Sequence, residues 1–124
     1  DRLLKASESD TVHLENLFDL NWPDAPHRVL RNKTVTDWET AGQPETGKRP
    51  GEGETVAYSK SLGEILRYRS YTPGVDAEGD IEALSMWAGQ SVASVKKLQP
   101  AAEIVREIRD EASSILRRLG TLSG

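Results

Sequence analysis

Apolar residues recur at helical spacing in the C-terminal part of the chain. From Asp80 the pattern predicts an amphipathic helix with Asp80 as its N-cap, and the apolar positions are Leu84, Trp87, Ala88, Val92, Val95 and Leu98. Beyond Pro100 a second apolar stripe includes Ile104, Ile108, Ile115 and Leu119, and Gly120 follows as an expected helix end. The sequence therefore predicts two amphipathic helices over residues 80–120, followed by a tail at residues 121–124.

The pattern before residue 80 is less regular. The segment TVHLENLFDL is compatible with strand or helix, and we favour extended structure; HRVLRNKTV predicts a short strand or the start of a helix from Val35 to Ala41. Residues 42–79 hold seven of the ten glycines, which is typical of a loop, with alternating segments ETVAYS and EILRYRSY. These elements predict an α-rich α+β chain with two long C-terminal helices, short strands and a long loop.

Length and composition restrict the classes of protein. A chain of 124 residues is long enough for one domain with a core. The net charge of −4 comes from interspersed acids and bases, which argues against a nucleic-acid or membrane-surface partner. The absence of cysteine excludes disulfides and thiol nucleophiles. No apolar run approaches the roughly 20 residues of a membrane helix, and the N-terminus lacks a signal-peptide pattern. We therefore expect a soluble cytoplasmic protein.

Motifs for chemistry are few. His13 and His27 have no recognised metal-ligand spacing with Asp19 or Asp24, so we interpret both as surface or half-buried imidazoles. The run from Gly51 to Gly53 lacks the Lys-Ser/Thr that follows a phosphate-binding loop. Trp22, Trp38 and Trp87 are far apart in sequence and are interpreted as packing residues. Motifs alone predict no catalytic residue and no metal site.

Gly89 lies in the most apolar part of the predicted helix from Asp80. Glycine inside a helix costs about 1 kcal/mol relative to alanine. It is used where the backbone must come close to a ligand or to another backbone. Two interpretations follow, close helix–helix packing and contact with a bound cofactor.

Three stretches resemble the C-terminal part of the nitronate monooxygenase family, formerly called 2-nitropropane dioxygenases. They are FDLNWPDAPHRVLRNKTVTDWETAG (18–42), RPGEGE (49–54) and DIEALSMWAGQSVASVKKLQPAAEIVREI (80–108). The opening DRLLKASESDTV is also similar to the end of the family's last barrel helix. The resemblance implies a C-terminal piece of an FMN-dependent (β/α)₈ barrel (TIM barrel, α/β class) with a smaller second domain. Residues 1–10 would end the last barrel helix, and residues 11–79 would belong to the small domain.

The same resemblance implies where a cofactor would lie. By this resemblance, the AGQS segment of this chain corresponds to the family's segment beside the flavin ring. The segment consists of Ala88, Gly89, Gln90 and Ser91. Gln90 would offer its amide to the flavin or to a substrate oxygen. Trp87 would form a wall of the substrate pocket, at a position where relatives often have tyrosine.

The family's phosphate-binding loops and catalytic histidine precede the residue that corresponds to Asp1. The resemblance therefore implies no catalytic residue in this chain. It implies an oxidoreductase that uses an alkyl nitronate and O2, in which this segment lines the pocket. Activity would require the remainder of the barrel, in cis or as a separate chain.

A different class of function is also compatible with the sequence. The segment would then be a non-catalytic, α-rich interaction module. Its apolar face from Ile104 to Leu119 would pair with another copy or with a protein partner, giving a homo-oligomer in the first case.

Overall fold

Within residues 2–121, the part of the chain that the computed structural model describes, three α-helices and five short strands form. The helices are α1 (Arg2–Lys5), α2 (Lys33–Thr40) and α3 (Ala101–Thr121), and 3-10 turns cover Glu8–Asp10, Ile81–Ala83 and Gln90–Ser94. The strands are β1 (Thr11–Leu14), β2 (His27–Leu30), β3 (Thr55–Ser59), β4 (Gly63–Leu66) and β5 (Glu78–Gly79).

Strands β1 and β2 form an antiparallel pair in which Thr11 faces Leu30 and Leu14 faces His27. Leu14 and Leu30 are both buried, as expected for strands with one face against a core. The extended structure favoured for TVHLENLFDL is confirmed for Thr11–Leu14, whereas residues 15–18 form bends. Over HRVLRNKTV both predicted alternatives occur, because β2 is followed by α2, which begins at Lys33 rather than at Val35.

The second sheet has the order β4-β3-β5, and both strand pairs are antiparallel. Of the two alternating segments inside the predicted loop, ETVAYS forms β3, whereas only the first three residues of EILRYRSY belong to β4. Gly79 in β5 has a φ of +125°, and a Cβ built on it would lie 2.7 Å from the carbonyl oxygen of Val56. Only glycine fits this position, because a side chain there meets both an unfavourable backbone conformation and fixed backbone atoms.

Two clusters of buried side chains form the core. The first joins the β1–β2 sheet to α2, and the second lies under the three-stranded sheet. The first contains Leu14, Leu17, Phe18, Val29, Val35 and Tyr68. The second contains Ala57, Ile65, Tyr71 and Leu84.

The predicted helix from Asp80 to Leu98 is wrong. The segment consists of two short 3-10 turns joined by extended backbone. Its carbonyl groups bond to distant residues: Ala83 O accepts from the Thr34 hydroxyl at 2.8 Å, and Leu84 O accepts from the Asn32 amide at 2.6 Å. These tertiary hydrogen bonds replace the local ones that a helix would need. Asp80 precedes only a 3-10 turn, and its side chain makes no capping bond.

The predicted helix after Pro100 is confirmed as α3, which begins at Ala101. Glu103 lies in its first turn and Arg118 in its last, as the helix dipole favours. Gly120 does not end the helix, which continues to Thr121. The remainder of the predicted tail, residues 122–124, lies outside the described residues.

The chain is an α+β structure with one long C-terminal helix, where the sequence predicted two. Both sheets are small and antiparallel, so the described residues contain no paired parallel strands of a barrel. None of the helices in residues 2–121 has the length and apolar character needed to cross a membrane.

Candidate functional site

Trp87 lies on extended backbone that continues the first sheet. Leu30 N donates to Met86 O at 2.8 Å, and Ala88 N donates to Arg28 O at 3.1 Å. Residues 86–88 therefore run along the free edge of β2, with Trp87 opposite Val29. This pairing fixes the direction of the indole side chain.

The indole of Trp87 belongs to an aromatic cluster. Its ring centroid is 5.1 Å from that of His27 and 6.1 Å from that of Phe18, and both contacts are edge-to-face. Trp22 also contacts Trp87, with a distance of 6.1 Å between the two ring centroids. Edge-to-face pairs at these distances are favourable beyond the area they bury.

Trp22 is presented by the turn between β1 and β2. Asn21 and Asp24 flank it with φ values of 74° and 54°, a left-handed conformation that Asn and Asp tolerate better than other side chains. Trp22 is 54% exposed. Trp22 was interpreted as a packing residue, but about half of its surface is exposed. The turn holds an indole at the surface beside Trp87.

His27 is buried, and both of its ring nitrogens are engaged. Nδ1 lies 2.8 Å from Ala25 O, which assigns the ring proton to Nδ1. Phe18 N–H then donates to Nε2, at a longer distance of 3.4 Å. His27 is therefore a structural member of the aromatic cluster.

No group of three or more metal-ligating side chains occurs among residues 2–121. His13 lies at the surface, with Nδ1 3.6 Å from a carboxylate oxygen of Glu15.

An apolar groove opens next to Trp87. Its volume is about 410 Å³, and Trp87, Met86, Leu30, Ile81 and Pro73 are among the residues that line it. Arg2 is also in the wall; its guanidinium donates to Arg31 O at 2.8 Å and pairs with Glu82 at 3.3 Å. The groove thus combines an apolar surface with one partly neutralised cation at its edge.

A smaller groove of about 220 Å³ shares Arg2 and Leu30 with the first. Asp10 lies in its wall, and both the backbone N–H and the hydroxyl of Ser7 donate to the Asp10 carboxylate at 2.7 Å. These two bonds hold the pKa of Asp10 below its usual range. Asp10 is therefore a carboxylate near neutral pH, on the same side of the chain as Arg2.

The four predicted cofactor-binding residues follow Trp87 along the surface. Ala88 is half-buried, while Gly89, Gln90 and Ser91 are exposed. Gly89 has an ordinary extended backbone, and a Cβ built on it would meet only Ser91 Oγ, at 3.7 Å. Nothing within the described residues requires glycine at this position. The close helix–helix packing considered for Gly89 does not occur, because no helix of any length runs through it.

Gln90 is held by the N-terminal segment. Its Nε2 donates to a carboxylate oxygen of Glu8 at 2.8 Å. The 3-10 turn at Glu8–Asp10 therefore packs beside the turn at Gln90–Ser94. Glu8 uses one of the two N–H groups of the Gln90 amide.

Backbone amides of the glycine-rich loop, residues 42–53, bind the carboxylate of Glu52 in the same loop. Gly47 N and Arg49 N donate to the Glu52 carboxylate at 2.6 and 3.2 Å, and the Arg49 guanidinium donates to it as well. The hydrogen bond from Arg49 is the main reason that the pKa of Glu52 is lowered. These loop amides serve the fold and are not available to a phosphate group.

Arg49 anchors this loop to the core. Its side chain is 1% exposed and bridges Asp19 at 2.7 Å and Glu52 at 2.6 Å. Its guanidinium carbon lies 4.4 Å from the centre of the Tyr68 ring. Burial raises the pKa of Tyr68, whose hydroxyl donates to Pro50 O at 2.7 Å. The cluster is fully satisfied within the chain, so it is a structural centre.

Comparison with known proteins gives no support for a family: no protein-family model matches the chain, and neither the curated proteins nor the solved structures gave a significant match. The nitronate monooxygenase resemblance therefore remains a prediction from the sequence blocks.

The structure brings together residues that sequence analysis kept apart. Trp87 lines a groove, whereas Ala88 to Ser91 lie beyond the residues that line it. The place of Trp87 in a substrate pocket stays a prediction. Sequence analysis did not connect Trp22, Phe18 and His27 to Trp87. The proline-rich turn NWPDAP was the available signal, because it forces the chain to reverse next to an aromatic residue.

Proposed function

We propose that the chain is the C-terminal segment of an FMN-dependent oxidoreductase that oxidises alkyl nitronates with O2. It contributes one wall of the flavin and substrate pocket, and the remainder of a barrel supplies the rest. The observation that carries the proposal is the position of Trp87 at the edge of an apolar groove, followed closely by the exposed residues 89–91.

The residues of this wall would contact one side of a flavin ring. The open space at Gly89 allows a flat ring to approach the backbone, and the Gln90 amide offers both a donor and an acceptor. Trp87 supplies an apolar surface for the alkyl part of a nitronate. We place the phosphate site outside this segment, because the amides of Gly47 and Arg49 in the glycine-rich loop are bonded to Glu52.

When bound, FMN would supply the electron transfer from the nitronate to O2. The groups of this chain would orient the ring and shield it from water. Within this segment we assign no residue to proton transfer, since His27 uses both ring nitrogens in the fold.

The test is the flavin content and activity of the protein encoded by the entire open reading frame that contains this segment. We expect this protein to be yellow, to absorb at about 450 nm as flavins do, and to consume O2 when an alkyl nitronate is added. The 124-residue chain alone is expected to retain no stoichiometric FMN. A colourless full-length protein that does not oxidise nitronates would refute the proposal.

Gly89→Ala sharpens this test. The added methyl group meets no close atom of the chain, so the fold should be unchanged by circular dichroism. It would occupy the space through which the ring approaches, so FMN binding should weaken. Gly120→Ala is the matched control, since its added Cβ meets nothing within 4 Å and lies on α3, outside the proposed flavin wall. Equal FMN affinity in both variants would remove Gly89 from the site.

A further inference from the structure

Helix α3 carries an apolar stripe that the other residues of the described range 2–121 leave exposed. No residue of α3 is buried, and Val105 and Ile108 are 66% and 64% exposed. The stripe follows alternating steps of three and four residues, the spacing of a helix that pairs with another helix: Val105, Ile108, Ala112, Ile115 and Leu119. A continuous exposed stripe of this kind indicates an interaction surface.

Two opposite charges flank the stripe on the same side. At about 100° per residue, Glu111 and Arg118 both lie next to the edge formed by Ile104 and Ile115. The ion pairs that α3 makes within residues 2–121 involve Glu107, Arg109 and Asp110 instead. Glu111 and Arg118 are thus available for charges on a partner.

We propose that α3 pairs in antiparallel orientation with α3 of a second copy of the chain, so that Glu111 of each copy meets Arg118 of the other. In this register Ile108 packs against Leu119 of the partner subunit, and Ala112 packs against Ile115 of the partner subunit. Each contact occurs twice because the arrangement has two-fold symmetry. The dimer therefore contains four apolar layers and two ion pairs.

The charges beside the stripe favour this arrangement over a parallel pair and over a shifted antiparallel pair. In a parallel pair, Glu111 would lie opposite Leu116 of the partner subunit and neither ion pair would form. An antiparallel pair shifted by seven residues would place Glu111 against Glu111, and Arg109 against Arg109, of the two copies. Like charges at these flanking positions are unfavourable. The proposed register pairs Glu111 with an opposite charge and leaves Arg109 beside an apolar side chain.

The inference rests on α3 alone and does not depend on the flavin proposal. The flavin wall lies around Trp87 and Gly89, on residues that precede α3. Loss of the dimer would leave flavin binding untouched, and loss of flavin binding would leave the dimer untouched, so the two proposals fail separately.

The experiment is sedimentation velocity of the full chain over a concentration series, with a charge-reversal cycle. Wild type should show a concentration-dependent monomer–dimer equilibrium. Glu111→Arg or Arg118→Glu alone replaces two attractive pairs by two repulsive ones, so each should raise the dimer Kd roughly tenfold. The double variant restores both pairs with the signs exchanged, and its Kd should return close to that of wild type.

Arg117→Glu is the matched control, because it makes the same charge change one residue away on the opposite face of α3. It should leave the Kd unchanged, and circular dichroism should show the same helix content in every variant. A chain that stays monomeric at its highest soluble concentration overturns the proposal and leaves the stripe to a different occupant, such as the rest of a larger protein. A double variant weaker than either single variant also overturns it.

Discussion

The side-chain amide of Asn32 donates to the carbonyl oxygen of Leu84 at 2.6 Å. The same side chain accepts from Val35 N at 3.1 Å and so caps the start of α2. One buried residue therefore begins a helix and holds a segment from a distant part of the sequence against it.

Asn32→Ala should lower the free energy of unfolding by about 2 kcal/mol, since it removes a helix cap and leaves a buried carbonyl without its donor. Urea denaturation followed by tryptophan fluorescence measures the change. Asn32→Asp keeps an acceptor for the cap but has no N–H for Leu84, so both variants should be destabilised. A loss below about 0.5 kcal/mol in the alanine variant, the range of ordinary surface substitutions, would contradict this assignment.

Two glycines should respond very differently to the same substitution. Gly79→Ala should lower the free energy of unfolding by about 2 kcal/mol or more, because the new Cβ would lie 2.7 Å from Val56 O at a φ of +125°. Gly89→Ala should change it by less than about 0.5 kcal/mol, since the backbone is ordinary and the surroundings are open. Paired urea titrations test the contrast, and equal effects would show that the β5 contact is misplaced.

Arg49→Met should destabilise the chain by about 3 kcal/mol, because it leaves the carboxylates of Asp19 and Glu52 without their buried cation. Arg31→Met is the control: Arg31 pairs with Glu39 at the surface, where such a pair contributes about 1 kcal/mol at most. Thermal and urea unfolding of both variants would compare them. Similar losses would indicate that Arg49 is more hydrated than the structure shows.

Acid should remove the contribution of Glu52. The ordinary pKa of this carboxyl is 4.5, and the Arg49 hydrogen bond lowers it in the fold. The stabilisation that Glu52 provides is therefore fully present above pH 4.5. It is lost as the pH falls through the lower pKa that Glu52 has in the folded chain. Glu52→Gln should be less stable than wild type at neutral pH, and the difference should shrink as acid protonates Glu52. A difference that is constant from neutral pH to acid would contradict this linkage.

Local pattern located β3, the start of β4 and α3. In β3 Ala57 and Ser59 face the core while Tyr58 is exposed, and α3 has both the apolar periodicity and the end charges of a helix. The segment from Asp80 to Leu98 has helical periodicity as well, yet Asn32, Thr34 and Leu30 N take its carbonyls. For the candidate site, sequence resemblance selected Trp87 as a wall residue, but only the fold placed Trp22 against it.

The sequence by itself determined the elements whose hydrogen bonds are local, because helix bonds join residues four apart and hairpin strands meet through short turns. The sequence also excluded disulfides and thiol nucleophiles, because the chain has no cysteine. Tertiary structure decided whether the apolar residues of 80–98 would face one side of a helix or be divided between two core clusters. The reason is energetic: a buried carbonyl must find a donor, and α2 and β2 supply donors that a local helix would have had to provide itself.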